Sequence, residues 1–319
     1  MSNYPIFSII IPTYNEERNI RDCLKSLGKL DYPRAKVKII IADGNSTDKT
    51  RQIAKQFGTV IAVNRKKTVA SGRNAGYCLA TGQFIAFTDA DCTFDQNWLK
   101  NSLPYFKDKQ IAGVGGPNLT PETDNNLAKA LGFVMDQEIF AAGSIHARKL
   151  DHTVTVRSLP GANSLYRREI LDKVMPQNER LLTCDETEMN YRLGDLGYQL
   201  LYTPNVIVYH KRRNNFKGIF KQFYRYAIGR RQLKKMRKDG TSPVHWLVGF
   251  SFPLFLLFLI LFPPFTIGII SLYFILAIWV LRKTKSPQIA GLVPLVVAVV
   301  GFSWSLGFTK EIIFPTKIR

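Results

Sequence analysis

The amino-acid sequence predicts an α/β fold with a mostly parallel sheet, and two observations support this prediction. Short runs of β-branched and aromatic residues alternate with segments of helical periodicity, as expected for right-handed βαβ units. Three of the predicted strands also end in polar clusters, at residues 13–17, 43–48 and 89–91. Because ligands of parallel sheets bind beyond the carboxyl ends of the strands, these clusters predict one shared binding site.

The amino-terminal part of the chain contains four predicted strands, at residues 7–13, 37–42, 60–63 and 84–87. A helix with apolar residues at helical spacing follows the first strand, and we expect Thr13 or Asn15 to cap it. Further helices are expected after the turn-rich loop 43–48 and from residues 71–76 onward. The order of these elements is that of a parallel sheet covered on both faces.

The middle of the chain, residues 111–180, is less regular. The pattern predicts a helix over residues 127–142 and a turn at 160–164 before a short apolar piece. An acidic segment is expected to begin a helix near Asp185, since carboxylates stabilise the positive end of a helix dipole. Two more strands are predicted, at residues 199–202 and 206–209.

The formal net charge of the 319 residues is +20, which raises nucleic acid and anionic membrane as partner classes. Basic residues concentrate in the tract 211–238, directly before a very apolar carboxyl-terminal third. That arrangement fits a membrane surface, so we expect a lipid bilayer and no nucleic acid as a partner. The four scattered cysteines indicate reduced thiols rather than disulfides or structural zinc.

Three apolar stretches follow the basic tract, at residues 244–262, 265–281 and 288–308. A bilayer core needs ~20 apolar residues per helix, so each stretch is interpreted as a span, with a re-entrant segment around Pro294 as the alternative for the third. Basic flanks place the amino-terminal region in the cytosol. The sequence therefore predicts an integral membrane protein with a cytosolic α/β domain at 1–210, a basic amphipathic interfacial segment at 211–243 and a transmembrane region at 244–319.

Two carboxylates, Asp89 and Asp91, directly follow the predicted strand 84–87. In extended backbone, residues i and i+2 project to the same side, so both carboxylates can converge on one point. Like charges so close together favour a cation between them, and hard oxygen ligands suit Mg²⁺ or Mn²⁺. The alternative is an acidic turn that caps a helix beginning at Thr93 or Asp95.

Four motifs occur in order along the chain: Ile-Ile-Pro-Thr-Tyr-Asn-Glu-Glu at 10–17, Asp-Gly-Asn-Ser-Thr-Asp at 43–48, Arg-Asn-Ala-Gly at 73–76 and Asp-Ala-Asp at 89–91. Through them the chain resembles the family 2 glycosyltransferases, inverting enzymes with the Rossmann-like GT-A fold, over roughly residues 5–230. The resemblance implies a nucleotide-sugar site formed by Pro12, Thr13, Tyr14, Glu16 or Glu17, Asp43, Arg73, Asp89, Ala90 and Asp91. It places Asp43 near the nucleobase, and Asp89 and Asp91 at the ribose and the diphosphate-bound metal, with Asp91 preferred over Asp89 as the metal ligand.

The acceptor-activating site of this family usually carries a Glu-Asp pair, whereas the present chain has Asp185 and Glu186. Either carboxylate could be the general base, and we favour Glu186 because it takes the place of the family's Asp. His210 matches a position where some GT-A enzymes place a further metal or phosphate contact. The alternative is a structural histidine.

The acceptor or phosphate region is expected to contain Gly161, Asn163, Gln222 and Arg225. The segment from Gln222 to Tyr226 is similar to the Gln-x-x-Arg-Trp motif of membrane polysaccharide synthases, with tyrosine in place of tryptophan. This departure leaves processive synthesis open. The alternative for Gln222 and Arg225 is an ordinary basic helix in the interface.

Together these features predict a membrane-bound inverting glycosyltransferase. The resemblance implies a nucleotide-diphosphate sugar donor, a lipid-linked or polysaccharide acceptor and a Mg²⁺ or Mn²⁺ cofactor at the cytosolic membrane face. Two alternatives remain open: a processive polysaccharide synthase, and a membrane scaffold that binds nucleotide sugars without transferring them.

Overall fold

The computed structural model describes residues 4–140, 144–262 and 264–316. The chain forms two compact units. The first unit comprises the residues up to 119 together with 148–179 and 185–210, and the second comprises 120–147, 180–184 and the residues from 211 onward.

An eight-stranded sheet forms the centre of the first unit, with strand order β3-β2-β1-β4-β9-β6-β10-β8. Its strands are β1 Phe7–Thr13, β2 Val37–Asp43, β3 Val60–Val63, β4 Phe84–Phe87, β6 Ile111–Gly115, β8 Val154–Val156, β9 Ser164–Arg167 and β10 Gln199–Tyr202. The first four strands pair in parallel, as do β6 and β10, whereas β9 is antiparallel to both neighbours and β8 is antiparallel to β10. The predicted α/β fold with a mostly parallel sheet is confirmed.

Helices cover both faces of this sheet. Alternate residues of β1 point in opposite directions, so each face of the strand packs against a different helix. Ile9 and Ile11 are buried together with the apolar side of α1, while Ile10 lies on the other face against α3. The helices of the first unit are α1 Ile20–Leu27, α2 Thr50–Gln56, α3 Val69–Cys78, α5 Arg168–Leu171 and α6 Asp185–Asp195. Two short 3₁₀ segments, Arg34–Lys36 and Lys100–Lys107, complete it.

A second, three-stranded sheet has the order β5-β11-β7, formed by Cys92–Phe94, Val208–His210 and Asn118–Leu119. In the antiparallel pairing of β5 with β11, His210 is the partner of Cys92. A strand therefore follows Asp91, so the alternative that this carboxylate caps a helix from Thr93 or Asp95 is wrong.

Several predicted boundaries need correction. Helix α1 is preceded by Asn19 rather than capped by Thr13 or Asn15. Asn15 instead adopts a left-handed conformation with φ 56°, and its side chain accepts a hydrogen bond from the backbone N–H of Thr47. The helix predicted over 127–142 ends at Asp136, and residues 141–143 lie outside the described part of the chain.

Helices form the second unit: α4 Asn126–Asp136, α7 Phe216–Met236, α8 Pro243–Leu261, α9 Phe265–Thr284 and α10 Pro287–Ile313. Helix α10 contacts the other four, and its buried Val293 and Val296 share an apolar core with Leu131 and Ile219. Helix α10 runs through Pro294 without a break, so the described backbone contains no re-entrant turn there. Among the described residues, two helical stretches are long and apolar enough to cross a bilayer, Ile267–Thr284 and Pro287–Ile313.

Gly82 allows the chain to enter β4 tightly against β1. A Cβ atom at this position would lie 2.6 Å from the backbone nitrogen of Ser8 and 2.7 Å from the carbonyl oxygen of Ile6. We expect Gly82→Ala to lower the free energy of unfolding by about 2 kcal/mol, because backbone atoms cannot move aside as a flexible side chain can. Thermal unfolding of the purified chain measures this loss.

The matched control for Gly82→Ala is Gly194→Ala in α6. Nothing lies within 4 Å of a Cβ atom at Gly194, and its φ is not positive. Equal unfolding temperatures for the two variants would contradict the steric account of Gly82.

Candidate active site

The parallel pairing of β1 with β2 places Thr13 directly beside Asp43 at the carboxyl edge of the sheet. The Asp43 carboxylate is buried and accepts hydrogen bonds from the backbone N–H and the hydroxyl of Ser46. The guanidinium of Arg51 lies 3.3 Å from it, and the Thr13 hydroxyl 3.4 Å. Asp43 is therefore held in one orientation, with Arg51 as the half-exposed group beside it.

The loops after β1 and β2 are joined by reciprocal hydrogen bonds. The backbone N–H of Asn15 donates to Ser46 Oγ at 2.9 Å, and the N–H of Glu16 donates to Thr50 Oγ1 at 2.7 Å. Glu17 Oε2 accepts from the N–H of Lys49. The backbone of Glu16 and the carboxylate of Glu17 thus take part in shaping these loops.

The remaining predicted residues of this edge lie on the same loops. Tyr14 is exposed, and the Lys67 ammonium lies 5.2 Å from the centroid of its ring. Pro12 is half-buried where α3 approaches β1, because a Cβ atom on Gly72 would lie 3.0 Å from the Cβ of Pro12. Ala90 is buried in the apolar core.

Arg73 is the residue that joins the separate acidic groups. Its side chain is only 3% exposed, and its guanidinium lies 3.6 Å from Asp89, 3.4 Å from Asp185 and 3.8 Å from Glu186. The same group donates to the carbonyl of Gly161 at 3.0 Å. Burial alone would lower the pKa of Arg73, but the carboxylates of Asp185, Asp89 and Glu186 outweigh burial and raise it.

Asp91 and His210 form the candidate metal centre. His210 Nε2 lies 3.1 Å from Asp91 Oδ1, and ligand atoms of Asp91, Cys92 and His210 all lie within 4.8 Å of one another. The buried Nδ1 of His210 has no hydrogen-bond partner among the described residues. Carboxylate oxygen with imidazole nitrogen is a donor set that suits Mn²⁺, so these residues fit a divalent ion. Cys92 is buried in the apolar core.

Asp89 lies between the candidate metal centre and Arg73. Burial raises the pKa of its carboxyl group; Arg73 opposes this shift and the neighbouring Asp91 adds to it. A cation beside Asp89 and Asp91 would stabilise the ionised form of both carboxylates.

The acidic pair occupies the first turn of α6. Burial and the adjacent Glu186 raise the pKa of Asp185 to about 7, although Arg73 acts in the opposite direction. A carboxyl group with a pKa near neutrality, beside a second carboxylate and one guanidinium, is an arrangement suited to proton transfer near neutral pH.

Gly161 packs against Arg73, and Asn163 is a buried residue near the site. A Cβ atom at Gly161 would lie 2.6 Å from a terminal nitrogen of Arg73, so only glycine leaves room for the guanidinium. Asn163 is fully buried; its side chain accepts from Trp98 Nε1 and donates to the carbonyl of Val206, both at 2.8 Å. Asn163 therefore holds the backbone around the site, and its place in the acceptor or phosphate region stays a prediction.

Gln222 and Arg225 lie on α7 in the second unit. Gln222 Nε2 donates to the hydroxyl of Tyr226 at 3.0 Å, and the carbonyl of Arg225 accepts from Thr183 Oγ1 at 3.3 Å. Their part in acceptor binding stays a prediction.

The comparison with known protein families decides the identity of the chain. Residues 8–175 match the family described as "Glycosyl transferase family 2". The chain belongs to this family. It is therefore an enzyme of the glycosyltransferase class, and the resemblance in its four motifs is confirmed.

Two curated relatives of this glycosyltransferase align with most of the chain. Glycosyltransferase AglE of Haloferax volcanii is 28% identical over 76% of the chain and 77% of its own length. A Methanococcus voltae protein is 28% identical over 96% of the chain and 97% of its length. It is named dolichyl N-acetyl-alpha-D-glucosaminyl phosphate 3-beta-D-2,3-diacetamido-2,3-dideoxy-beta-D-glucuronosyltransferase.

The solved structure of mannosyltransferase PcManGT from Pyrobaculum calidifontis, in complex with GDP-Man and Mn²⁺, superposes with a TM-score of 0.65 at 17% identity. It covers 95% of this chain and 88% of its own. The likeness confirms the GT-A fold of the glycosyltransferase.

The contacts that sequence reasoning missed are those of Arg73 with the acidic pair and of Arg51 with Asp43. Arg73 and Asp185 are 112 residues apart in the sequence, and no local pattern links them. Arg51 offered a weak signal, since it lies in the helix that directly follows the loop of Asp43.

Removal of the Asp91 carboxylate tests the metal centre directly. We expect Asp91→Ala to abolish Mn²⁺ binding, because the site loses the carboxylate that lies beside His210. Electron paramagnetic resonance of added Mn²⁺ measures the bound fraction without any substrate. Asp95→Ala, on an aspartate after β5, is the control that should leave binding unchanged, and wild-type binding by Asp91→Ala would refute the assignment.

The pH profile tests the acidic pair. Because the raised pKa of Asp185 keeps a proton on its carboxyl group below about 7, its ion pair with Arg73 should weaken, and turnover should fall, as pH falls through that value. We expect kcat to rise with pH and to level off above about 7. Asp185→Asn should remove this inflection, and a profile that is flat from pH 6 to 8 in the wild type would contradict the prediction.

Proposed function

We propose that this enzyme is a membrane-bound inverting glycosyltransferase that moves a sugar from a nucleotide-diphosphate donor to a lipid-linked or polysaccharide acceptor. One observation carries the proposal: the buried guanidinium of Arg73 contacts both Asp89, beside the candidate metal centre, and the acidic pair of α6. The groups proposed to activate the donor and those proposed to activate the acceptor thus lie around the same guanidinium.

The donor side of the reaction must neutralise the charge that grows on the departing diphosphate. Asp91, Asp89 and His210 would hold Mg²⁺ or Mn²⁺, and the ion supplies Lewis-acid stabilisation of that charge when bound. Asp43 and Arg51 present a carboxylate and a guanidinium to the nucleobase, and Thr13 supports Asp43. PcManGT, whose structure contains GDP-Man and Mn²⁺, supports this placement by its shared fold.

The acceptor side of the reaction requires removal of a hydroxyl proton. Glu186, in the first turn of α6 and 23% exposed, is the proposed general base. Asp185 is more deeply buried, at 7% exposed, and lies closer to Arg73, so it is suited to orient the guanidinium rather than to meet the acceptor. A single displacement by the activated hydroxyl would invert the anomeric carbon.

The second unit supports a membrane location. The apolar window of α9 is only 6% buried within the protein, which leaves a continuous apolar surface that water would disfavour. The basic residues of α7 and the segment around it suit an anionic membrane surface. We therefore place the catalytic unit on the cytosolic face of the bilayer.

A lipid-linked acceptor is favoured over a growing polysaccharide. The Methanococcus voltae relative, which aligns over almost the whole chain, carries a dolichyl phosphate sugar in its name. A processive synthase is the second candidate, because the Gln222 to Tyr226 segment is similar to a synthase motif. A scaffold that binds nucleotide sugar without transfer would leave the acidic pair of α6 without a role.

A screen of radiolabelled nucleotide sugars with membranes that contain the full chain tests this function. We expect label in a lipid-extractable product, and Glu186→Gln should lower kcat by about 10²- to 10⁴-fold with little change in donor KM. Glu169→Gln, on an exposed carboxylate of α5, is the matched control. Label in insoluble polymer would support the processive alternative, and bound donor without product would refute catalysis.

A further inference from the structure

Asn74 follows Arg73 on α3 and binds a different part of the chain. Its side-chain amide makes two hydrogen bonds with the backbone of Gln177: Nδ2 donates to the carbonyl at 2.9 Å, and Oδ1 accepts from the N–H at 2.8 Å. Nδ2 also donates to Glu179 Oε1 at 2.8 Å. One side chain thus satisfies both backbone groups of a residue that lies 103 positions away.

Gln177 in turn contacts the helix that carries the acidic pair. Its side chain is buried, and its amide Nε2 lies 3.4 Å from Met189 Sδ in α6. Arg192 of the same helix donates to the carbonyl of Pro176 at 3.2 Å and to the carbonyl of Val174. Residues 174–177 therefore form the surface on which α6 rests.

Glu179 adds a charged acceptor to the contacts of Asn74. Lys66 lies 2.7 Å from Glu179 Oε2, and the Lys66 ammonium, followed by the Asn74 amide, lowers the pKa of the Glu179 carboxyl group. Hydrogen bonds to an ionised carboxylate are stronger than those between neutral groups, so Asn74 is held firmly between Gln177 and Glu179.

We infer that Asn74 is a positioning residue for the acidic pair: it fixes Gln177 in the segment 174–177, against which α6 packs, and so holds Asp185 and Glu186 at the guanidinium of Arg73. This inference rests on the proposed function. Two neighbouring residues of α3, Arg73 and Asn74, thus act on the acidic pair in different ways. Arg73 contacts the carboxylates directly, while Asn74 sets the position of the segment beneath them.

Positioning of the acidic pair matters because proton transfer depends strongly on distance. A general base acts only within hydrogen-bond reach of the acceptor hydroxyl, and a displacement of about 1 Å can cost on the order of 10²-fold in rate. Without Asn74, the backbone of Gln177 would lose both partners, and α6 could shift relative to Arg73. Donor binding depends on other contacts, at Asp43 and at the candidate metal centre.

The test replaces Asn74 by leucine, which has a similar volume and makes no hydrogen bonds. In Asn74→Leu we expect kcat to fall by about 10- to 100-fold while the donor KM changes by less than about 2-fold. Asn74→Asp keeps the acceptor for the Gln177 N–H but sets a carboxylate against the ionised Glu179 and the Gln177 carbonyl, so it should show a loss at least as large. Lys66→Met is the matched control, because it removes the ion pair to Glu179 but none of the bonds between Asn74 and Gln177.

Amide hydrogen exchange of the full-length chain, measured without substrate, gives a second readout. Residues 177–179 and 185–189 should exchange faster in Asn74→Leu than in the wild type, and strand β1 should be unchanged. An active chain whose kcat and exchange are unaffected in both Asn74 variants would overturn this inference alone, as would an equal loss in Lys66→Met. A wild-type chain that transfers no sugar would overturn the proposed function instead.

Discussion

The buried charge of Arg73 is the constraint on which the rest of the site depends. A guanidinium that is only 3% exposed would be strongly destabilising without compensation, since removal from water costs several kcal/mol per ion. Here three carboxylates and the carbonyl of Gly161 surround it. The groups that stabilise Arg73 are the same groups that the proposed chemistry uses, so the fold and the proposed activity rest on one cluster.

Strand pairing positions the site residues that do not contact Arg73. The register of β1 against β2 sets Thr13 beside Asp43, and the pairing of β5 with β11 sets His210 beside Cys92 and Asp91. Backbone ladders are rigid compared with loops, so they hold these side chains with little conformational freedom. Buried Asn163 links this region further through its hydrogen bonds with Trp98 and Val206.

The second unit is held together by apolar contacts between helices. Its long helix α10 contacts four other helices through an apolar core, while α9 leaves most of its apolar surface uncovered. In water such a surface would drive aggregation, whereas in a bilayer it is compatible with the solvent. Family membership and this apolar surface together agree with relatives that act on lipid-linked sugars.

Local patterns alone determined the strands at 60–63, 84–87 and 199–202, the sheet type and the motifs of the family, because alternation and β-branching are properties of short segments. They also placed Asp185 at the start of α6. Only the tertiary structure decided that Asn163 is a buried support, that Asn15 bridges two loops and that Arg73 meets the acidic pair. Such contacts join residues far apart in sequence, and their geometry is set by packing and register, on which a local pattern carries no information.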